Sequence, residues 1–367
     1  MTPLDELATL LRPAGGGVYV VSTGRAEQLA MQRRLYGAAT EAEVSARFRE
    51  NLARIAGAKV VLLGVPSDVG AGFVRGANLA PQAIRAALLD EQPSFPEDAR
   101  ARGIVDLGDV FVVPQLLHDD MLTPAQREAS ARALYPDVDL SVRGALPVSP
   151  LSIAERALDL VFALNPRVKP VVLGGDHSCA WPVAAALSRV QKEPWGIVQI
   201  DAHTDLLEER LGIRYCFATW SFHANDLVGR NGKLVQVGIR ATRHERGHWE
   251  NTLGVRQFWA DECLRDPAKA LDAIVAHVKS TGVRGVYFSN DIDGTDERFA
   301  DATGTPEPNG LEPDFVVELV RRLGREVGLL GGDVMEVAPP VQRTPDGAKR
   351  TVALAVRYLR ETFDALL

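Results

Sequence analysis

The chain is 367 residues long, 46% hydrophobic and 24% charged, with a formal net charge of −7. That composition fits a soluble globular enzyme and offers no basic surface for nucleic acid. No stretch reaches the roughly 18 consecutive apolar residues that mark a membrane span, so neither nucleic acid nor a membrane is expected as a partner.

The opening residues, MTPLDELATLLRPAGGG, have an acid pair and no Lys or Arg ahead of a short apolar run. This is not the layout of a secretory signal, and a cytoplasmic location is expected. Residues 1–56 alternate helix-like stretches with a turn at Gly15-Gly16-Gly17, and Glu41 to Ile55 has apolar residues at helical spacing. They are expected to form an N-terminal extension packed on one large domain at 57–367. The core opens with a strand over Ala58–Leu63, a helix near Pro81–Leu89 and a strand over 103–110. Residues 114–150 are polar and rich in proline, and read as an insertion or long loop. From 151 the rhythm becomes regular: helix Ser152–Leu164, strand 170–173, helix Trp181–Val190, strand 196–200, strand Lys233–Gly238 and helix Pro267–Ser280. Strand 283–288, helix Pro313–Leu323, strand Gly328–Gly332 and a last helix over Lys349–Leu366 complete it. Such alternation implies a three-layer α/β/α sandwich with a mostly parallel central sheet. Cys179, Cys216 and Cys263 form no CxxC pair, which argues against a disulfide framework or a cysteine zinc site.

Three short segments follow apolar runs that read as buried strands: GGDHS at 174–178, DAHTD at 201–205 and NDIDGTD at 290–296. Ligands and catalytic groups gather at the carboxyl ends of parallel strands, because the loops there converge on one crevice. In an extended DAHTD the odd positions, Asp201, His203 and Asp205, project the same way, and Asp291 and Asp293 repeat the spacing. His177 caps the set from a third strand. Taken one at a time, the segments could be a tight turn, a surface loop and a helix N-cap. Together they supply six candidate ligands suited to divalent ions such as manganese, and carboxylates that bridge can hold two ions roughly 3.5–4 Å apart. Hydrolysis at a dinuclear centre is the chemistry such a set serves.

These segments resemble the signature blocks of the ureohydrolase superfamily, which includes arginases, agmatinases, guanidinobutyrases, proclavaminate amidinohydrolases and formiminoglutamases. The stretches 64–85, DLGDV at 106–110 and DVMEVAPP at 333–340 extend the resemblance across roughly 58–366. The resemblance implies the arginase-like fold and two Mn2+ per chain, with Ni2+ as the alternative ion. It implies one ion on His177, Asp201, Asp205 and Asp291, the other on Asp201, His203, Asp291 and Asp293, and a metal-bound hydroxide that Asp205 steers. Glu336 matches the acid that pairs with a guanidinium or amidinium, and relatives form trimers or hexamers, so a homo-oligomer is expected.

The chain departs from the family between the second and third blocks. Where arginases and agmatinases carry a proton-shuttling His-Gly, this sequence has Phe217, and His223 lies six residues on as a candidate stand-in or as a structural neighbour of Phe222. Leu207 replaces the Asn with which arginases bind the amino-acid end of L-arginine, which disfavours that substrate. Tyr215, Phe217, Trp220 and Phe222 either pack the loop or surround a cation, with Phe217 and Trp220 the expected substrate contacts. Glu208 and Glu209 either meet a second cationic group or sit in solvent, and the cluster from Arg240 to His248 reads as solvated loop or subunit contact. The expected activity is hydrolysis of a C–N bond in a small guanidino or amidino compound, agmatinase-like or guanidine-type, releasing urea. The alternatives are a formiminoglutamase-like hydrolase and a non-catalytic partner subunit of the same fold.

Overall fold

In the computed structural model, which describes residues 1–18 and 22–367, nine strands form one sheet. They are β1 (Leu11–Arg12), β2 (Val60–Val65), β3 (Ile104–Val110), β4 (Lys169–Gly174), β5 (Gly196–Ile200), β6 (Leu234–Ile239), β7 (Arg256–Trp259), β8 (Val286–Asn290) and β9 (Leu329–Val334). Their order across the sheet is β1-β3-β2-β4-β9-β8-β5-β6-β7. Every pairing is parallel except that of β1 with β3. Every residue of β2, β3, β5, β6 and β8 is buried. This is why the strands read as mostly apolar runs: helices flank the sheet, and neither face meets water.

That order decides where the chemistry falls. The segments after β4, β9, β8 and β5 are the first motif, the Glu336 segment, the third motif and the second motif, and these four strands are consecutive neighbours. Register aligns them further. Ile200 of β5 pairs with Asn290 of β8, so Asp201 and Asp291 leave the sheet side by side, and a bridge between Asp291 and Met335 brings Glu336 alongside.

The expected elements are present with two differences, and others come without an expectation, among them β7 and the helices Phe95–Arg102 and Trp220–Leu227. The segment 114–150 is not a bare loop: it carries a helix over Pro124–Leu134 and a short one over Leu140–Arg143. The first buries only Ala131, so it lacks the apolar stripe that would announce it. The Asp119 carboxylate folds the segment back by accepting the N–H groups of Val148 and Ser149. Strand β8 starts and ends later than its apolar run suggests. Ser289 and Asn290 complete it, buried, and the Asn290 N–H donates to Asp333 at 2.8 Å.

Residues 1–18 are tied to the sheet edge. Strand β1 pairs with β3, and the Asp109 carboxylate accepts the Gly15 N–H at 2.7 Å. The Arg85 guanidinium in turn holds Asp109 at 2.5 Å and Asp106 at 2.8 Å, all three buried. Replacing Arg85 strands two buried carboxylates, and losing one partner of a buried pair costs about 3–5 kcal/mol. We therefore expect Arg85→Leu to lower unfolding free energy by that order in urea denaturation; a loss below about 1 kcal/mol would show the cluster to be solvated.

Candidate metal centre

The strand ends are shaped by close approach. A Cβ on Gly174 would overlap the Met335 sulfur, and one on Gly175 the Ser67 carbonyl, so the two glycines let the chain turn tightly and deliver His177 into the crevice. Asp205 and Glu336 both lie in the left-handed region, at φ +52° and +61°. Non-glycine residues are strained there, which is common where side-chain placement matters more than backbone comfort.

His177 Nδ1 sits 3.1 Å from Asp201 Oδ2, 3.2 Å from Asp205 Oδ2 and 3.1 Å from Asp291 Oδ2. Despite these distances it makes no hydrogen bond of usable angle. A buried nitrogen aimed between three carboxylate oxygens and bonded to none of them is what a metal-ligand set looks like. His203 Nδ1 lies 3.1 Å from Asp293 Oδ2 and 3.5 Å from Asp201 Oδ1. The ligand atoms of His177, Asp201 and Asp205 fall within 4.8 Å of one another, as do those of Asp201, His203 and Asp293, so Asp201 belongs to both groups.

The charges are out of balance without a cation. Burial, and then the negative charge of Asp201, pushes the Asp205 carboxyl up to about 7. Burial, Asp293 and Asp201 likewise hold Asp291 well above the carboxylate range. For Asp201 itself burial is outweighed by His177 and His203, which lower its pKa. Burial disfavours the charged form of both histidines, but the surrounding carboxylates win: His177 is raised well above its usual value and His203 to about 12. Divalent ions would neutralise several like charges at once, and oxygen-rich donors with two imidazoles suit hard or borderline ions.

Surrounding groups fix the carboxylates. Trp220 Nε1 donates to Asp205 Oδ2 at 3.1 Å, and Thr305 Oγ1 to Asp293 Oδ2 at 3.0 Å. Gln199 Nε2 donates to Asp201 Oδ2 at 2.7 Å, and its own carbonyl accepts from Gln236, which accepts from Gln257. These three glutamines are register partners on β5, β6 and β7. Glu336 accepts the His177 N–H at 2.9 Å through Oε1. Burial and then nearby Asp176 hold its carboxyl well above the usual range. A cavity of about 310 Å3 opens over this centre, lined by His203, Glu336, Thr305, Phe217, Phe73 and Arg210 among others.

A sequence model of the arginase family matches residues 58–364. The chain belongs to the arginase family. It is 31% identical over 314 residues to an agmatinase of Chromobacterium violaceum, covering 83% of this chain and 85% of that protein. It is 29% identical over 293 residues to a guanidinobutyrase of Pseudomonas aeruginosa, covering 77% and 79%. The proclavaminate amidino hydrolase from Streptomyces clavuligerus superposes with a TM-score of 0.64 at 29% identity, covering 84% of this chain and 92% of that one. Membership makes the chain a hydrolase of C–N bonds in linear amidines.

Within this arginase-family chain the six Asp and His residues expected as ligands converge, and Glu336 and Phe217 line the cavity. Two expected contacts do not. Trp220 is fully buried, packed on the His177 ring at 4.7 Å, and acts on Asp205 from behind rather than on anything in the cavity. His223 stands among Tyr215, Phe222 and Trp181, and its Nε2 donates to the Glu208 carbonyl at 3.0 Å. Burial lowers its pKa. Arg240, expected in a solvated loop, is partly buried and donates to the carbonyls of Asp293 and Glu307, clamping the third motif. Asp residues after strands are readable from sequence; the supporting Gln199, Trp220 and Arg240 carry no such signal, because only their partners give them a role. His223→Asn should cost about 1–2 kcal/mol of stability through the lost aromatic packing and carbonyl contact. The pH–rate profile should not move. A folded variant whose profile lost one limb would return His223 to the chemistry.

Proposed function

We propose that this chain is a dinuclear-metal amidinohydrolase cleaving a C–N bond of a small guanidino or amidino compound, with release of urea from a guanidine. The observation that carries the reading is the pair of ligand groups sharing Asp201, set beside a cavity that contains Glu336. His177, Asp201, Asp205 and Asp291 would hold one ion and Asp201, His203, Asp291 and Asp293 the other, manganese in the first instance, with nickel suited to the same donors. When bound, the two cations supply the Lewis acidity that makes water a nucleophile near neutral pH and offsets charge developing at the amidine carbon.

The chain's own residues would do the rest. Glu336 commits Oε1 to the His177 N–H, and among the described residues Oε2 has no hydrogen-bond partner, leaving it for the N–H groups of a planar cation. Asp205, which accepts from Trp220 at one oxygen, would take the proton of the attacking water and pass it toward the leaving amine. Phe217 walls the cavity where a shuttle histidine would stand, and its apolar face excludes water from the departing group. That same residue favours a second reading, hydrolysis of a formimino compound, in which the product would be an amide other than urea. Among the described residues no helix is long and apolar enough to cross a membrane. A cytoplasmic homo-oligomer, trimer or hexamer, belongs to the proposal, and light scattering measures its mass.

Metal analysis of the purified chain, with urea, ammonia and amide release screened across small guanidines, ureido and formimino compounds under manganese and under nickel, tests the reading. Near-zero bound metal together with inactivity after loading would leave a non-catalytic subunit. Asp201→Ala should lose both ions and all turnover, since it serves both groups; two tightly held ions in that variant would break the assignment. Glu336→Gln should keep its metal while kcat/KM for a guanidinium falls about 30-fold or more, the effect of removing one partner of a desolvated charge pair. Unchanged kinetics would mean that the substrate is held elsewhere.

A further inference from the structure

Two opposite charges line the cavity. Glu336 is the buried anion, and Arg210 is a cation carried on a surface hairpin. The hairpin is tight: Arg210 and Ile213 exchange backbone hydrogen bonds at 3.0 and 2.9 Å around Leu211 and Gly212, which sit at φ +54° and +77°. Two positive φ values are what a two-residue primed turn demands. Leu211 is 95% exposed, so the turn points into solvent and Arg210 is the residue that faces back to the cavity.

Its guanidinium carbon lies 5.1 Å from the centre of the Phe217 ring, a stacking contact that limits its orientation without using its N–H donors. Among the described residues no carboxylate lies within 4.0 Å of it, and its side chain makes no hydrogen bond. Arg156 and Arg321, by contrast, each commit two donors to one carboxylate, Glu6 and Glu361. A stacked planar cation with its donors free, at the wall of a cavity, is built to receive a carboxylate edge-on. The acids beside it do not compete: Glu208 and Glu209 are exposed and do not line the cavity. The lining also includes the apolar side chains of Phe217, Phe73 and Val74, which suit a short methylene chain.

We propose that Arg210 anchors a carboxylate on the substrate, which makes the compound hydrolysed an ω-guanidino carboxylic acid. The assignment rests on the amidinohydrolase reading above and narrows it. The guanidinium meets Glu336, the methylenes run along Phe217, and the carboxylate takes the free edge of Arg210. A diamine-derived guanidine such as agmatine would instead bring a second cation against Arg210, and free guanidine would leave Arg210 unused.

Two measurements test this and separate its failure from failure of the wider reading. The first is affinity: calorimetry of the metal-stripped full chain, in which nothing turns over, with 4-guanidinobutyrate and with agmatine, two ligands that differ in the tail. 4-Guanidinobutyrate should bind the more tightly, Arg210→Gln should weaken it about 10- to 100-fold, the loss expected for a hydrogen bond to a charged group, and Arg210→Lys should recover part of the loss. The second is turnover by the manganese-loaded chain. The ratio of kcat/KM for 4-guanidinobutyrate over agmatine should exceed one and fall about 10-fold or more in Arg210→Gln, with the loss carried mainly by KM. Tighter binding of agmatine, no binding of 4-guanidinobutyrate, or an affinity indifferent to Arg210 would overturn the assignment even if urea is released. Arg210-dependent binding of the acid in a chain that hydrolyses nothing would uphold it and sink the catalytic reading instead.

Discussion

Mutual repulsion among buried carboxylates is the constraint around which this molecule is arranged. Asp201, Asp205, Asp291, Asp293 and Glu336 leave adjacent strands within one crevice, and two imidazoles do not balance them. Each of the five is steadied by a neighbouring donor, Asp291 by the Asp293 backbone N–H at 2.9 Å. The Trp220 N–H holds Asp205, the Gln199 amide Asp201, the Thr305 hydroxyl Asp293 and the His177 backbone N–H Glu336. Even the strained backbone of Asp205 and Glu336 makes sense on these terms, because relaxing either would swing a carboxylate out of register. The parallel sheet is what makes such crowding tolerable. Its interior strands are pinned by burial on both faces, so the ends have little freedom to splay apart.

Much of this is legible in the sequence alone, and for a physical reason. Strands buried on both faces are short, mostly apolar runs, so Ile197 to Ile200 and Val171 to Leu173 declare themselves, and an Asp immediately after such a run has few structural uses. Strand β8 shows where the signal fails: Ser289 and Asn290 look like loop, but they are interior positions, the Ser289 hydroxyl meeting His177 Nε2 and the Asn290 backbone N–H donating to Asp333. The helix Pro124–Leu134 escapes notice for the opposite reason, since it rides on the surface and buries almost nothing. Roles that depend on a distant partner are harder still. An aromatic residue in a loop carries no mark telling wall from interior, and so Phe217 lines the cavity while Trp220, three residues later, stands behind the ligands.

The division of labour between sheet and loop follows from these placements. The candidate ligands sit at strand ends, where register fixes them, whereas the residues proposed to meet the far end of a substrate sit on the hairpin at 210–213 and in the glycine-rich stretch near Phe73. Loops of this kind change length and side chains without disturbing the sheet. One hydrolytic centre can therefore serve different tails, with the choice made by a few residues outside the core.

The glutamine chain has a further consequence. An ionised Asp201 accepts and never donates, so Gln199 must turn its NH2 toward it and its carbonyl away; Gln236 must then donate to Gln199, and Gln257 to Gln236. The Thr204 carbonyl, to which the Gln236 NH2 also donates, holds the row in the same sense, so the orientation of three amides out to the edge strand β7 is fixed from two sides. The row carries a one-way polarity: an ionised Asp201 sets it at one end, and a backbone carbonyl, which can only accept, sets it in the middle.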